Sequence, residues 1–123
     1  MRVAQPMTAQ VLLTGATGFV GKVVLEELLR RKGELGVDSI YVLIRAKKGK
    51  TPNERFSEEI AASRCFELLP PDWTAFVRPV TGELSQRDCG LSAHDVEHLT
   101  HHITHIVAAL MGEVPGMLEK ADR

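Results

Sequence analysis

Residues 14–21 read Thr-Gly-Ala-Thr-Gly-Phe-Val-Gly, and this stretch decides the fold of the 123-residue chain. It follows a short apolar run, residues 10–14, and it opens a segment, residues 18–31, in which apolar side chains recur with the period of a helix. Glycines at such a junction let the chain turn sharply and let the helix pack closely on the strand. The pattern therefore predicts a buried strand, a tight turn and an amphipathic helix.

The predicted helix over residues 18–31 has a wide apolar stripe and a charged opposite side. Gly33 and Gly36 are expected to end this helix, since glycine is common just past a helix C-terminus. The stripe consists of Val20, Val23, Val24, Leu25, Leu28 and Leu29.

The rest of the chain continues to alternate between strand and helix patterns. Thr51 and Ser92 each start a helix with a capping signal, and the second of these helices ends near His102. Further strands are predicted at 39–45, at 76–80 in spite of Pro79, and at 103–109. Right-handed crossovers then give a parallel sheet of order 3-2-1-4, the first part of a doubly wound, Rossmann-type α/β fold. We expect a domain at 9–109, flanked by tails at 1–8 and 110–123.

A glycine turn between a strand and a helix indicates a dinucleotide site. Gly15 permits the sharp turn, Gly18 permits a pyrophosphate to approach the backbone, and Gly21 permits close helix packing. The helix N-terminus offers unpaired N–H groups and a partial positive charge to the phosphates. In such a sheet the ligand crevice lies where the strand order reverses, between strands 1 and 4. The alternative is a glycine-rich turn without a ligand.

The end of the second strand bears on the choice of coenzyme. An NAD site places Asp or Glu there to bind the ribose hydroxyls, whereas this chain has Arg45 followed by Lys47, Lys48 and Lys50. A guanidinium can hold a 2′-phosphate in a bidentate pair. NADP(H) is the favoured coenzyme, and a solvated basic loop is the alternative.

Several stretches resemble one family of reductases. The glycine spacing is similar to that of extended short-chain dehydrogenases/reductases, and residues 11–30, 40–50, 80–85 and 90–92, with Glu54-Arg55-Phe56, resemble fatty acyl-CoA reductases. The resemblance runs from about residue 10 to Val107. It implies reduction of a fatty acyl thioester, with fatty acyl-CoA as the substrate and NADPH as the coenzyme.

The resemblance also assigns roles within the predicted site. It places Thr17, Gly18, Phe19 and Val20 along the pyrophosphate, within the loop from Thr14 to Gly21. It places Arg45 with Lys48 at the 2′-phosphate, and Glu83 with Leu84 beside the adenine. The family usually has Asp at position 83, and Glu keeps the carboxylate on a longer arm.

A catalytic residue is not predicted in these 123 residues. Reductases of this superfamily use a Tyr-x-x-x-Lys pair, but the single tyrosine, Tyr41, precedes Arg45 by four residues and lies in a predicted core strand. We therefore expect the coenzyme-binding part of a reductase, cut before its catalytic pair and inactive alone. Two alternatives stay open: part of a thioester-reductase domain of a carboxylic acid reductase or peptide synthetase, and a non-catalytic nucleotide-binding remnant.

Composition excludes other classes of function. A net charge of −1 argues against a dedicated nucleic-acid binder, and no apolar run approaches the roughly 20 residues of a membrane span. Cys65 and Cys89 fit no metal spacing and are expected to be reduced in an intracellular protein, cytoplasmic or membrane-associated at full length. No metal site is predicted, because the histidines between 94 and 105 are interpreted as a solvated helical face.

Overall fold

The computed structural model describes residues 8–83 and 86–108, which form a four-stranded parallel sheet. The strand order is β3-β2-β1-β4, which confirms the predicted order and the Rossmann-type topology. Leu13 in the centre of the sheet lies between Val42 on one side and Val107 on the other. The strands are β1 (Ala9–Thr14), β2 (Val37–Ile44), β3 (Val77–Thr81) and β4 (His105–Ala108).

Helices cover both faces of this sheet. The helices are α1 (Phe19–Arg30), α2 (Lys32–Leu35), α3 (Pro52–Arg55) and α4 (Ala93–His102). The crossover from β2 to β3 also contains a π-helical segment, Phe56–Ala61, and two 3₁₀ helices, Arg64–Phe66 and Trp73–Phe76. The chain thus crosses the sheet three times, and each crossover carries a helix, as parallel strands require.

The larger half of the core lies between the sheet and α1 with the β2–β3 crossover. Trp73 packs on this part of the core, because it stacks on Phe66 at a centroid distance of 4.6 Å and meets the edge of Phe56 at 5.9 Å. Every second residue along β1 and β2 faces this side of the sheet, among them Val11, Leu13, Ile40, Val42 and Ile44. On the other face, a smaller cluster joins the sheet to α4 and consists of Leu12, Tyr41, Leu43 and Leu99.

Two details of the first helix differ from the prediction. The helix ends at Arg30, and Gly33 lies inside the separate short helix α2, which Gly36 ends in a left-handed conformation at φ 70°. Leu25 and Leu29 are buried as predicted, but Val20 and Val23 are 38% and 44% exposed. The described sheet covers only the side of α1 that carries Gly21, Leu25 and Leu29. The predicted apolar stripe is wider than this side, so its outer residues are left partly exposed.

The predicted capping residues are confirmed. The hydroxyl of Thr51 accepts a hydrogen bond from the N–H of Glu54 at 3.1 Å, and the hydroxyl of Ser92 accepts one from Asp95 at 3.1 Å. Pro79 is tolerated because β3 is an edge strand, where a missing N–H leaves no neighbour unpaired.

Two strand boundaries also shift. The second strand starts two residues earlier than predicted, and the fourth starts at His105, just after Thr104, whose N–H bonds to the carbonyl of Gln10 at 2.9 Å. The predicted tails, at 1–8 and 110–123, lie almost wholly outside the described residues, as does Leu84. Within the described part of the chain, no helix is long and apolar enough to cross a membrane.

Candidate dinucleotide-binding site

The turn after β1 is shaped by backbone contacts that only glycine allows. Gly15 has a φ of 81°, in the left-handed region, and its carbonyl accepts the N–H of Gly18 at 3.2 Å. A Cβ on Gly21 would lie 1.8 Å from the Gly15 oxygen and 2.7 Å from the Cα of Ala16. The helix therefore sits directly against the turn, which is the close packing that the sequence predicts for the third glycine.

The N-terminus of α1 is left open for an anion. The first helical bond runs from the N–H of Lys22 to the carbonyl of Gly18 at 3.0 Å, so the N–H groups of Phe19, Val20 and Gly21 have no helical acceptor. No side chain of the described residues caps this end, and the first turn carries no acidic residue. Gly18 has room for a Cβ, which would lie 3.6 Å from its nearest atom, the carbonyl oxygen of Gly15, at ordinary van der Waals contact.

This geometry fits the pyrophosphate of a dinucleotide. Free N–H groups, a partial positive charge and the absence of side chains are what a close approach of phosphate needs. Phe19 is 73% exposed and Val20 38% exposed at the mouth of the turn. The structure thus brings the predicted loop residues together at one place, and their contact with a coenzyme stays a prediction.

A polar atom at the end of β1 also lacks a partner. The Thr14 side chain is 3% exposed, and its hydroxyl makes no hydrogen bond within residues 8–83 and 86–108. A buried hydroxyl without a partner is costly, so such groups are ordinarily bonded to a ligand or a water molecule. Thr14 pairs with Ala108 of β4, at the strand-order reversal where the crevice is predicted.

The carboxyl end of β2 carries the predicted cation. Arg45 follows the strand directly and is exposed, as are Lys47 and Lys48. The basic segment folds back on itself, since the N–H of Lys50 bonds to the carbonyl of Lys47 at 2.9 Å around Gly49 at φ 79°. Arg45 and Lys48 therefore lie on one short exposed loop at the carboxyl end of the sheet.

Sequence reasoning missed two contacts at this end of the sheet. The guanidinium of Arg55 donates to the backbone carbonyl of Arg45, and it binds Glu59 through hydrogen bonds of 2.6 and 3.1 Å. The hydrogen bonds between Arg55 and Glu59 raise the pKa of Arg55 and lower the pKa of Glu59. Glu83, at the end of β3, forms an ion pair with Arg45 across a distance of 3.7 Å. Opposite charges at the ends of strands predicted to be neighbours were the available signal.

Tyr41 is a core residue, as predicted. It is 6% exposed and its hydroxyl lies 3.0 Å from Nε2 of His98 on α4. The ring of His98 also stacks on His102 at 4.2 Å. His98 therefore helps to join α4 to the sheet, while all five histidines between 94 and 105 are exposed, as the predicted solvated face requires.

Comparison with known proteins identifies the family. A model of NAD-binding domains described as "Male sterility protein" matches residues 13–111, most of the chain. The chain belongs to this family. Its four-stranded unit is similar to the NAD(P)-binding part of reductases, and the resemblance to fatty acyl-CoA reductases is confirmed.

Named relatives include vertebrate enzymes. The chain is 44% identical over 106 residues to mouse "Fatty acyl-CoA reductase 1" and 43% identical to the human protein of that name. Mouse "Fatty acyl-CoA reductase 2" is 41% identical over the same length. Each alignment covers 81% of this chain and 20% of the relative, so the chain spans about a fifth of the length of the curated relatives it matches.

Solved structures with the same fold are reductase domains of peptide synthetases. The terminal R domain from the myxalamid pathway matches with a TM-score of 0.68 and 29% identity, over 90% of this chain and 26% of that chain. The reductase domain of a Mycobacterium tuberculosis non-ribosomal peptide synthetase matches with a TM-score of 0.67 and 28% identity, over 85% of this chain and 24% of the other.

Proposed function

We propose that this chain binds NADPH and serves as the coenzyme-binding part of an enzyme that reduces a fatty acyl thioester, with fatty acyl-CoA as substrate. Membership of an NAD-binding reductase family supports a nicotinamide coenzyme. The observation that carries the choice of NADPH is the cation Arg45 at the end of β2, where an NAD site places a carboxylate.

Each part of the site has a separate task. The N–H groups of Phe19, Val20 and Gly21 hold the pyrophosphate, and the glycine turn keeps side chains away from it. Arg45, with Lys48 on the same loop, holds the 2′-phosphate, and Glu83 lies on the adenosine side. The bound coenzyme supplies the hydride for reduction.

The acyl substrate is proposed from the relatives. Fatty acyl-CoA reductases are 41–44% identical to this chain, whereas the peptide-synthetase reductase domains are 28–29% identical. The higher identity favours an acyl-CoA over a thioester held on a carrier protein. Both substrates are thioesters, so the coenzyme site described here serves either one.

A second candidate is a nucleotide-binding chain without turnover. Tyr41 is the only tyrosine, and it is buried against His98 rather than facing the glycine turn. A buried phenol bonded to a histidine is not available to protonate a substrate oxygen at the coenzyme site. We therefore expect the 123 residues by themselves to bind the coenzyme and not to oxidise it.

Two measurements on the purified chain test the proposal. Fluorescence titration should give tighter binding of NADPH than of NADH. Addition of palmitoyl-CoA to the NADPH complex should cause no loss of absorbance at the nicotinamide band. Equal or tighter binding of NADH would overturn the choice of coenzyme, and steady NADPH oxidation would overturn the expectation that these 123 residues contain no catalytic residue.

A further inference from the structure

Arg45 is not isolated at the end of β2, because Glu83 faces it from the neighbouring strand. The strands run side by side to this point, where the N–H of Gly82 bonds to the carbonyl of Ile44 at 3.1 Å. One residue further along each strand, a guanidinium nitrogen of Arg45 lies 3.7 Å from a carboxylate oxygen of Glu83. Any group that binds Arg45 at this edge of the sheet therefore meets Glu83 as well.

Glu83 is held in place by the turn that follows it. Its N–H donates to the carbonyl of Cys89 at 2.6 Å, and its own carbonyl accepts the N–H of Gln86 at 3.1 Å. The side-chain amide of Gln86 also donates to the Glu83 carboxylate at 3.3 Å. Glu83 is thus bonded through its N–H, its carbonyl and its carboxylate.

The backbone of this turn is strained. Asp88 and Cys89 have φ values of 52° and 56°, in the left-handed region that side chains other than glycine rarely adopt. Gly82 has no room for a side chain, since a Cβ would lie 2.5 Å from the Cys89 carbonyl oxygen. Strain of this kind persists where surrounding contacts fix it, and it is concentrated at functional sites. Here it is concentrated around Glu83.

We propose that Glu83 is a specificity-determining residue, which lowers the preference for a 2′-phosphorylated nucleotide by pairing with Arg45. This inference rests on the proposed binding of NADPH. A phosphate monoester carries a charge of about −1.5 to −2 near neutral pH, so it competes with the Glu83 carboxylate for Arg45 and is repelled by it. A 2′-hydroxyl carries no charge and experiences neither effect.

The length and the exposure of this ion pair determine whether removal of the Glu83 charge strengthens or weakens the binding of a 2′-phosphate. The pair is long, and the side chains of Arg45 and Glu83 are 69% and 33% exposed, so solvent screens their attraction. A pair of this kind holds Arg45 only weakly and gives it little preorganisation. Removal of the Glu83 charge should therefore tighten binding of a 2′-phosphate, by about fivefold at low salt, which equals about 1 kcal/mol.

The test uses two small probes that lack the nicotinamide, 2′,5′-ADP and 5′-AMP. Their affinities are measured by calorimetry for the 123-residue chain and for Glu83→Gln, at low and at high salt. The expected result is about fivefold tighter binding of 2′,5′-ADP and little change for 5′-AMP, with the gain reduced by salt. In an Arg45→Gln background the same change should give a smaller gain, because only the repulsion remains.

Glu67→Gln is the matched control. Glu67 pairs with Arg64 at 3.8 Å, is more exposed than Glu83 and lies on the crossover surface rather than at a strand end. The Glu67→Gln variant shows how much the removal of one negative charge away from the site changes the affinity. Thermal melting shows whether each variant is folded. A gain for Glu83→Gln no larger than for Glu67→Gln would overturn the inference, and so would weaker binding of 2′,5′-ADP, since Glu83 would then position Arg45.

The two proposals fail in different ways. If the unmodified chain binds 5′-AMP as well as it binds 2′,5′-ADP, the proposed preference for NADPH is wrong. The inference about Glu83 is then tested by the Glu83→Gln variant alone. It is supported if that variant prefers 2′,5′-ADP to 5′-AMP, and it is wrong if the variant shows no such preference. If the chain binds neither probe, both proposals are wrong.

Discussion

The glycine turn after β1 and the charged residues that follow β2 and β3 differ in the kind of group that each presents to a ligand. In the turn, the backbone itself is the proposed binding surface, and the contacts of Gly15 and Gly21 leave no freedom for another residue. At the strand ends, the proposed binding groups are exposed side chains, Arg45 and Glu83, whose contact is 3.7 Å long and screened by water. We propose that the first region binds the pyrophosphate and that the second sets which nucleotide is preferred.

The largest expected effect follows from Gly21→Ala. A Cβ at this position would lie 1.8 Å from a backbone oxygen that cannot rotate away, so the turn and the helix must separate. We expect a loss of about 3 kcal/mol or more in the free energy of unfolding, at the upper end of the cost of overpacking. Urea denaturation followed by circular dichroism measures it.

Gly33→Ala is the control for this change. Gly33 lies inside α2, and a Cβ there would meet no atom within 4 Å. Alanine in a helix is favoured over glycine, so this variant should gain about 0.5–1 kcal/mol. Equal stability of the two variants would contradict the close contact between helix and turn.

Gly18→Ala separates binding from folding within the same turn. Gly18 has an ordinary φ of −85°, and a Cβ would lie 3.6 Å from its nearest neighbour, so the protein should accept alanine. The added methyl group would occupy the space through which a pyrophosphate approaches the helix N-terminus. We expect a fold as stable as the unmodified one and NADPH affinity reduced at least about tenfold. Unchanged affinity would show that the coenzyme does not pass this residue.

Arg45→Gln tests the strand-end region. A charge-assisted hydrogen bond contributes about 1.5–3 kcal/mol, and the exposure of Arg45 puts it at the lower end, so NADPH affinity should fall about 10- to 30-fold. NADH affinity should change by less than about twofold, because NADH carries no 2′-phosphate. Arg64→Gln, on the crossover, is the control for loss of a positive charge. Parallel losses for NADPH and NADH would contradict the assigned role.

The smallest expected effect concerns the ion pair of Arg55, the residue whose guanidinium binds the backbone carbonyl of Arg45. Arg55 bonds both to the Arg45 carbonyl and to Glu59, and its hydrogen bonds with Glu59 lower the pKa of Glu59. A lowered pKa in the folded state stabilises the protein above the unfolded pKa, about 4.3, and this contribution is lost as the pH falls through the folded value.

Glu59→Gln should therefore cost about 0.3–0.5 kcal/mol at pH 7 and nothing in strong acid. Thermal melts across this pH range measure the difference, with Glu54→Gln as the control for a carboxylate on the neighbouring turn. A cost that persists below pH 3 would show that the ion pair is not its origin.

The fold could be predicted from the sequence because its signals are local and reinforce one another. The turn from Thr14 to Gly21, the two capping residues and the apolar strands each specify their own element, and the handedness of the crossovers then gives the strand order. The boundary between α1 and α2 was not predictable, because Gly33 fits inside a short helix as well as at the end of a long one.

The geometry of the turn was predictable where glycine dictates it, whereas contacts of side chains across the sheet were harder to predict. The opposite charges of Arg45 and Glu83 after neighbouring strands were a signal for their pair, but nothing in the sequence signals that Arg55 binds the Arg45 carbonyl. The hydrogen bond between Tyr41 and His98 likewise joins residues 57 positions apart, and it depends on how α4 docks on the sheet. Such contacts follow from tertiary packing, which sequence periodicity does not encode.

The most direct test of the account is to locate the coenzyme on the chain by amide NMR. NADPH is titrated into ¹⁵N-labelled protein, and the shift of each assigned N–H resonance is followed. We predict the largest shifts at Phe19, Val20 and Gly21, with further shifts at Arg45 that NADH does not produce. Large shifts confined to the crossover around Cys65 and Trp73, with the start of α1 unchanged, would contradict it.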